Sequence, residues 1–346
     1  MIDPGALATF AAIPAPTGAE TARLEWLEQR LRERPGERHR DGAGNLVWRF
    51  GPGVPELLIM AHVDTVFAAG TPLPMTRDGD DLVGPGVGDN ATAVMTLVWT
   101  LEAMPAIPAS LAVVFTVGEE GLGNLRGALH ACRELRPAAA IALEGQGLDE
   151  VITEHVGSLR ARLAVTGPGG HSWSDRGTPS ALHALVKIAD RLADEGANVG
   201  KLSGGEAVNA IPARAEMIVE RRSLEQAELD AFEARLRAVS VAPPLAIACD
   251  VLGRRPAGQI DPEHPLVSAI RAVRRGLGLA DAFGAGSTDA NAAAAAGIPA
   301  VSIGCARGSG MHTLRERIDL SSLEVGSEQL RRVIEGALPL PSTTGR

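Results

Sequence analysis

Cysteine is scarce: Cys132, Cys249 and Cys305 are the only three in 346 residues, far apart and odd in number. That argues against a disulfide framework and against a cysteine-based zinc cluster, and a reducing, cytoplasmic setting is expected. No run reaches about 18 uninterrupted apolar residues, so no membrane-spanning helix is expected. The opening Met1-Ile2-Asp3-Pro4-Gly5 has no basic segment of the kind an export signal carries. Nor is any lysine and arginine cluster dense enough to follow a phosphate backbone: 33 basic residues face 42 acidic ones, for a net charge of −9. Nucleic acid and anionic membranes are therefore not expected as partners. Gly (40) and Pro (23) stay below the share that marks disorder or collagen, and there is no internal repeat.

What is present is an ordinary globular composition, 45% apolar and 22% charged, in a chain long enough for about two domains of roughly 150 residues. A turn at Pro16-Thr17-Gly18 precedes a helical pattern over 21–34 (Leu24, Leu27, Leu31), and Asn45-Leu46-Val47-Trp48 and Leu57-Leu58-Ile59-Met60 read as strands. Helices are then predicted over 91–104 and 125–136, and buried strands over 111–117 and 138–143. Continuous apolar strands separated by helices predict a mostly parallel sheet with helices on both faces. From about Gly157 the texture changes. Leu159-Arg160-Ala161-Arg162-Leu163-Ala164-Val165 alternates apolar with polar, as a strand with one wet face does. A βαββαβ-like block of about a hundred residues follows, read as a separate α+β unit with an exposed antiparallel face. After Pro262 the earlier style resumes, with helices at 265–276 and 322–338, an Ala-rich segment at 290–296 and a short strand at 300–303. The expected division is 1–156 with 258–346 as one domain and 157–257 as an insert, with the Pro, Ser and Thr-rich ending at 339–346 as a loose tail.

Polar residues that close apolar strands carry the chemistry. His62 and Asp64 follow Leu57-Leu58-Ile59-Met60, and residues i and i+2 of a strand share a side, so the aspartate can orient the imidazole. Alone, such a pair can equally be a satisfied strand end. Gly84-Pro85-Gly86-Val87-Gly88-Asp89-Asn90 feeds a helix: Asp89 is either its N-cap or a carboxylate aimed at a cation, and the loop lacks the Lys-Ser/Thr of a phosphate loop. Glu119-Glu120 closes Val113-Val114-Phe115-Thr116-Val117. Adjacent side chains diverge there, so one can bind a metal while the other acts as general base. Glu144 ends the next strand, and His312 lies in Gly308-Ser309-Gly310-Met311-His312-Thr313. Ligands collect beyond the carboxyl ends of strands in open α/β sheets. Two histidines and three carboxylates, one of them bridging, suit a two-metal hydrolytic site for zinc or a similar ion.

Met60-Ala61-His62-Val63-Asp64-Thr65-Val66, Gly86-Val87-Gly88-Asp89-Asn90, Thr116-Val117-Gly118-Glu119-Glu120-Gly121 and His312-Thr313 resemble, in order and context, the M20 metallopeptidases, the superfamily of aminoacylase, carboxypeptidase G2 and peptidase T. Gly167-Pro168-Gly169-Gly170-His171-Ser172 and Val208-Asn209-Ala210-Ile211-Pro212 look like its lid, or dimerisation, domain. The resemblance implies that His62 and Glu144 bind one metal ion, Glu120 and His312 the other, and that Asp89 bridges them. Asp64 would support His62, and Glu119 would be the base that deprotonates the attacking water. His171 would stabilise the oxyanion, commonly in the partner subunit's site. Asn209 and Arg222 would hold the substrate carboxylate, with Arg221 the alternative in Glu220-Arg221-Arg222. Gly286-Ser287-Thr288-Asp289-Ala290-Asn291 resembles a substrate-side loop, which sets Ser287 as a substrate contact, the alternative being a helix N-cap at Ser287 or Asp289. The implied protein is a cytoplasmic homodimer with two divalent ions, zinc first and cobalt or manganese as alternatives, hydrolysing small peptides or N-acyl amino acids. The competing expectations are a hydrolase of a non-peptide C–N bond on the same site and a catalytically silent binding protein.

Overall fold

A computed structural model describes residues 2–338; the ending at 339–346, expected to be a loose tail, lies outside the described residues. The chain divides into two compact units, Met1–His155 with Gly258–Arg346, and Val156–Ala257.

The first unit is built on a nine-stranded sheet. Its order is Glu37–Arg40, Leu46–Arg49, Leu111–Thr116, Leu57–His62, Ala139–Glu144, Ala300–Gly304, Val151–His155 and Gly258–Gln259, with Phe283–Gly286 also paired to Val151–His155. The four neighbours from Leu111–Thr116 to Ala300–Gly304 run parallel. Antiparallel partners border this group on both sides. These four strands are the short apolar runs of the sequence, and they are buried along almost their whole length, as strands covered on both faces must be.

Strand alternation sorts their side chains into two cores. Leu57, Ile59, Val113, Phe115, Ile141 and Val301 face one, packed by Thr21–Leu31, Ala93–Ala103, Pro265–Gly276 and Leu323–Ala337. Leu58, Met60, Ala112, Val114, Ala140 and Ala142 face the other, where Arg126–Leu135 and the Ala-rich Ala290–Ala295 lie. The small residues of that second face let the helices sit close to the sheet. Among the described residues no helix is long and apolar enough to cross a membrane.

Because the four central strands share one direction, their carboxyl ends open at one edge. His62 lies opposite Thr116 and Glu144 opposite Gly304 in the register. A smaller antiparallel sheet, in the order Gly308–Ser309, Arg317–Asp319, Asp81–Val83 and Thr76–Asp78, belongs to the same unit and carries His312 in the connection between its first two strands. Sequence reading had no signal for it: strands of two or three mostly half-exposed residues have neither an apolar run nor a measurable alternation.

The second unit is a four-stranded antiparallel sheet in the order Asn198–Gly204, Arg214–Ser223, Gly157–Thr166 and Ala246–Arg255. Helices Ala181–Asp194 and Gln226–Ala238 supply Leu185, Leu192, Phe232 and Leu236 to a core with Leu159, Leu163, Met217 and Val219. The intervening Arg160, Arg162, Glu216 and Glu220 take the opposite face, which is the alternation read from the sequence. Ser180 caps the first helix by accepting from the His183 amide. A two-stranded ribbon pairs Gly170–His171 with Ala210–Ile211.

One buried titratable group in the first unit predicts a pH response. His155 is fully buried and its Nε2 donates to the Ala300 carbonyl at 3.1 Å. Burial lowers its pKa below the ordinary 6.5, against the opposing pull of that hydrogen bond. With the folded value depressed, the unfolded chain binds the proton more readily. The stabilisation is then complete above about 6.5 and is lost as pH falls below it. Urea unfolding between pH 7.5 and 5 should show stability falling more steeply for the wild type than for His155→Gln.

Candidate metal centre

Asp89 lies between two imidazoles. Its Oδ1 is 3.0 Å from His62 Nε2, and its Oδ2 is 2.9 Å from His312 Nε2. His62 Nε2 also lies 3.9 Å from Glu144 Oε2, and His312 Nε2 lies 3.1 Å from Glu120 Oε1. The structure thus brings together all five residues that the sequence grouped as ligands. Candidate ligand atoms of His62, Asp89 and Glu120 fall within 4.8 Å of one another, and all three residues are buried. Glu119 is buried beside them, near enough for its charge to act on His62 and Glu144.

The Asp89 turn explains its availability. Val87–Thr92 forms a wide, irregular turn in which Asp89 and Asn90 have non-helical dihedrals, and the regular helix starts only at Ala93. No side chain caps that helix, so the N-cap alternative for Asp89 falls and the carboxylate points to the two imidazoles instead. Asn90 Nδ2 donates to the Leu143 carbonyl at 2.8 Å, tying the turn to the strand that ends in Glu144.

Asp64, expected to orient His62, lies 3.5 Å from its Nδ1. Its shorter contacts go elsewhere. Oδ1 accepts from the Glu119 amide at 3.0 Å, and Oδ2 accepts from the Glu120 amide and from Thr17 Oγ1, both at 2.9 Å. One wholly buried carboxylate therefore joins the ends of two parallel strands. Burial opposes its charge, but the His62 contact and the two amides prevail and hold its pKa below the usual carboxylate value.

The electrostatics describe a site that demands positive charge. Burial opposes protonation of His62, yet Asp64 and Asp89 hold its pKa well above the ordinary value. Asp89 and Glu120 raise His312 to about 10. Asp89 is lowered by the two histidines in spite of burial, while Glu144, buried and beside other carboxylates, is pushed well up. In terms of protons, the surplus of carboxylate favours positive charge on the two imidazoles. Two imidazole nitrogens and three carboxylates form a mixed N/O donor set that suits borderline divalent ions, and such ions would replace that proton charge.

Several supporting residues escaped sequence reading. The fully buried Arg23 donates to the Ala11, Ile13 and Val63 carbonyls, and Glu20 accepts from the Gly18 and Gly118 amides. Thr17 lies in, and Glu20 and Arg23 follow, a turn that reads as punctuation only; a charged pair at the edge of an apolar stripe was the one available signal. Buried Glu316 accepts from the Asp89 amide at 2.9 Å and from Gln146 Nε2 at 2.6 Å. Burial and the Asp89 charge push its pKa up to about 7. Ser287 is half-buried at the end of Phe283–Gly286. Asp289 occupies the cap position of Ala290–Ala295 but makes no side-chain cap bond, so it is not the cap; its Oδ2 accepts from Thr116 Oγ1 at 2.5 Å.

His171, Asn209 and Arg222 belong to the second unit. The exposed His171 ring accepts at Nδ1 from the Trp173 and Ser174 amides at 3.2 and 3.3 Å, which leaves the proton of the neutral ring on Nε2. Asn209 sits on the partner arm of the same ribbon, its carbonyl accepting from the Ser172 amide at 3.0 Å. Arg222 is not with them. It pairs with Ser158, whereas Arg214, next to the ribbon, pairs with Thr166, so Arg222 lies eight residues, about 27 Å, along the strand. It is half exposed and paired to Glu220, while Arg221 turns to the opposite face, to the Glu195 carbonyl.

A histidine and carboxylate cluster, largely buried apart from His312, beyond the carboxyl ends of a parallel α/β sheet is the architecture of a metal-dependent hydrolase. Residues 58–336 match the model of peptidase family M20/M25/M40, and the chain belongs to that family. A putative succinyl-diaminopimelate desuccinylase of Mycobacterium tuberculosis is 28% identical over 311 residues, covering 81% of this chain and 82% of its own length. The structure of a Staphylococcus aureus tripeptidase superposes with a TM-score of 0.82 at 21% identity, covering 96% of each chain. That of a dinuclear metal-binding M20 peptidase of Bacillus subtilis gives 0.69 at 16% identity, covering 95% of each. At those identities the two structural likenesses bear on the fold alone.

Thr17→Val removes one of the three hydrogen bonds to Asp64 without changing the volume much. Equilibrium denaturant unfolding should show a loss of about 1.5–3 kcal/mol, the range for a hydrogen bond to a charged group.

Proposed function

We propose that this chain hydrolyses the amide bond of small substrates, di- and tripeptides or N-acyl amino acids, with two divalent ions, zinc foremost. One observation carries the reading: Asp89 turns one oxygen to each imidazole, with Glu144 beside the first and Glu120 beside the second. Two half-sites thereby share a carboxylate, His62, Glu144 and Asp89 Oδ1 in one, His312, Glu120 and Asp89 Oδ2 in the other. The bound ions would polarise the scissile carbonyl and acidify an attacking water.

The protein groups do the rest. Glu119 takes the proton from the attacking water and returns it to the leaving amine. Its backbone and that of Glu120 are pinned to the same Asp64 carboxylate, which supports separate tasks for two adjacent acids. His171 donates through Nε2 to the developing oxyanion, a role supported by the two amides that occupy Nδ1. Asn209 and Arg222 hold the substrate carboxylate, and Ser287 contacts the substrate. The distance along the second unit's sheet bears on assembly. No dipeptide spans the length between Asn209 and Arg222 of one chain, whereas a homodimer can combine His171 and Asn209 of one subunit with Arg222 of the other. The second unit then acts as lid and dimerisation domain and the first as the catalytic domain. Closure of a lid limits substrate length. The desuccinylase among the relatives favours N-acyl amino acids within the proposed range.

The test is a panel of free, N-blocked and C-blocked dipeptides, tripeptides, N-acyl and N-carbamoyl amino acids and casein, with chelator-stripped protein reloaded with zinc, cobalt or manganese. Ion-dependent turnover of short peptides or N-acyl amino acids, with casein untouched, is expected. Preference for casein, or full turnover without ions, would overturn the reading. Glu119→Ala should lower kcat by about 10²-fold or more while calorimetry still records ion uptake near the wild-type level; unchanged kcat would remove Glu119 from the mechanism.

A further inference from the structure

The three segments that bring Asp89, Glu144 and His312 into the centre meet a second time, on the far side of the ligand atoms. The Asp89 amide donates to Glu316 Oε1 at 2.9 Å, and Gln146 Nε2 donates to the same oxygen at 2.6 Å. The Gly84 amide donates to the backbone carbonyl of Glu316 at 2.8 Å. Glu316 stands four residues beyond His312, at the foot of the same hairpin, and Gln146 stands two residues beyond Glu144. Each ligand-bearing segment therefore contributes one ligand and one member of this buried node, in which Glu316 has no exposed surface.

The packing around the node leaves no slack. A Cβ on Gly88 would stand 2.7 Å from Glu316 Oε1 and 2.5 Å from Gln146 Nε2, and one on Gly145 would run into the Gly88 carbonyl. Gly88 in the Asp89 turn and Gly145 beyond Glu144 thus serve the close approach of the two segments. His312 itself is held at φ 64, in the left-handed region that a non-glycine residue adopts at some cost. A residue so held needs its hairpin anchored at the base, and Glu316 is that anchor.

We propose that Glu316 is a positioning residue, which sets the spacing of the two half-sites by fastening the Asp89 turn, the segment after Glu144 and the His312 hairpin to a single carboxylate oxygen. The inference rests on the reading of Asp89, Glu144 and His312 as ligands. Glu316 touches neither substrate nor ion; it acts through the Asp89 backbone and through the hairpin that presents His312. Residues behind a metal ligand commonly change ion affinity by 10- to 100-fold.

The experiment is calorimetric titration of chelator-stripped wild type, Glu316→Ala, Glu316→Gln, Gln146→Ala and His62→Ala with zinc chloride, with circular dichroism melting of each stripped protein. Glu316→Ala should remain folded and bind zinc about 10- to 100-fold more weakly. Glu316→Gln, whose amide oxygen still accepts from the Asp89 amide, should recover most of that loss, a rescue that bulk stability alone does not produce. If Glu316→Ala fails to fold, Gly88→Ala reads the same contact by wedging a methyl between the Asp89 turn and Oε1, and it should weaken zinc binding similarly. Wild-type affinity in a folded Glu316→Ala, or in Gly88→Ala where the first does not fold, overturns the proposal. Zinc uptake by the wild type that His62→Ala loses but Glu316→Ala keeps would sink the role of Glu316 alone. A wild type that takes up no zinc would sink the reading of the centre, and this inference with it.

Discussion

The centre hangs on one buried carboxylate. Asp64 accepts from the amides of Glu119 and Glu120 and from the Thr17 hydroxyl, so the continuation of the strand Leu111–Thr116 is tied to that of Leu57–His62 just where both leave the sheet. A charged acceptor with three donors in a dry setting is strong and directional. It turns two loose strand extensions into one rigid shelf. Arg23 and Glu20 brace the shelf from below, through the Val63 carbonyl and the Gly118 amide.

On that shelf the excess of carboxylate is the functional fact. Asp89, Glu119, Glu120 and Glu144 crowd around two imidazoles, and burial makes such charge costly unless positive charge answers it. The raised pKa of both His62 and His312 expresses the demand in terms of protons. Divalent ions would meet it with fixed charges at the ligand atoms, while the neutral imidazoles supply nitrogen donors. The same charge that holds protons tightly on the imidazoles makes the centre a good host for cations.

The large elements were legible because each carries its signal locally. The apolar runs at 57–60, 111–117 and 138–143 read as covered parallel strands, the alternation from Leu159 to Val165 read as a half-wet strand, and His62, Glu119, Glu120 and Glu144 stood out as polar ends of buried runs. His312 had no such signal; it stood out only as a histidine in a glycine-rich loop, since its small sheet is made of strands too short to show a period. Glu316 and Thr17 were missed for a different reason. Their partners lie 227 and 47 residues away, and nothing in the neighbouring sequence distinguishes a carboxylate or hydroxyl so engaged from one facing water.

By itself the sequence determined the direction of the central strands and the residue types at their ends, because hydrophobic periodicity and strand length are properties of contiguous residues. It also determined the interruption of one unit by another, through the change of texture near Gly157. Only the tertiary structure decided that one Asp89 carboxylate meets both imidazoles, that Asp89 caps no helix, that Arg221 and Arg222 take opposite faces, and that Arg222 lies far along its strand from the ribbon beside which Asn209 sits. Those outcomes depend on distances between segments remote in the chain. Such distances are set by how sheets, turns and glycine contacts pack together, which no local stretch of sequence contains.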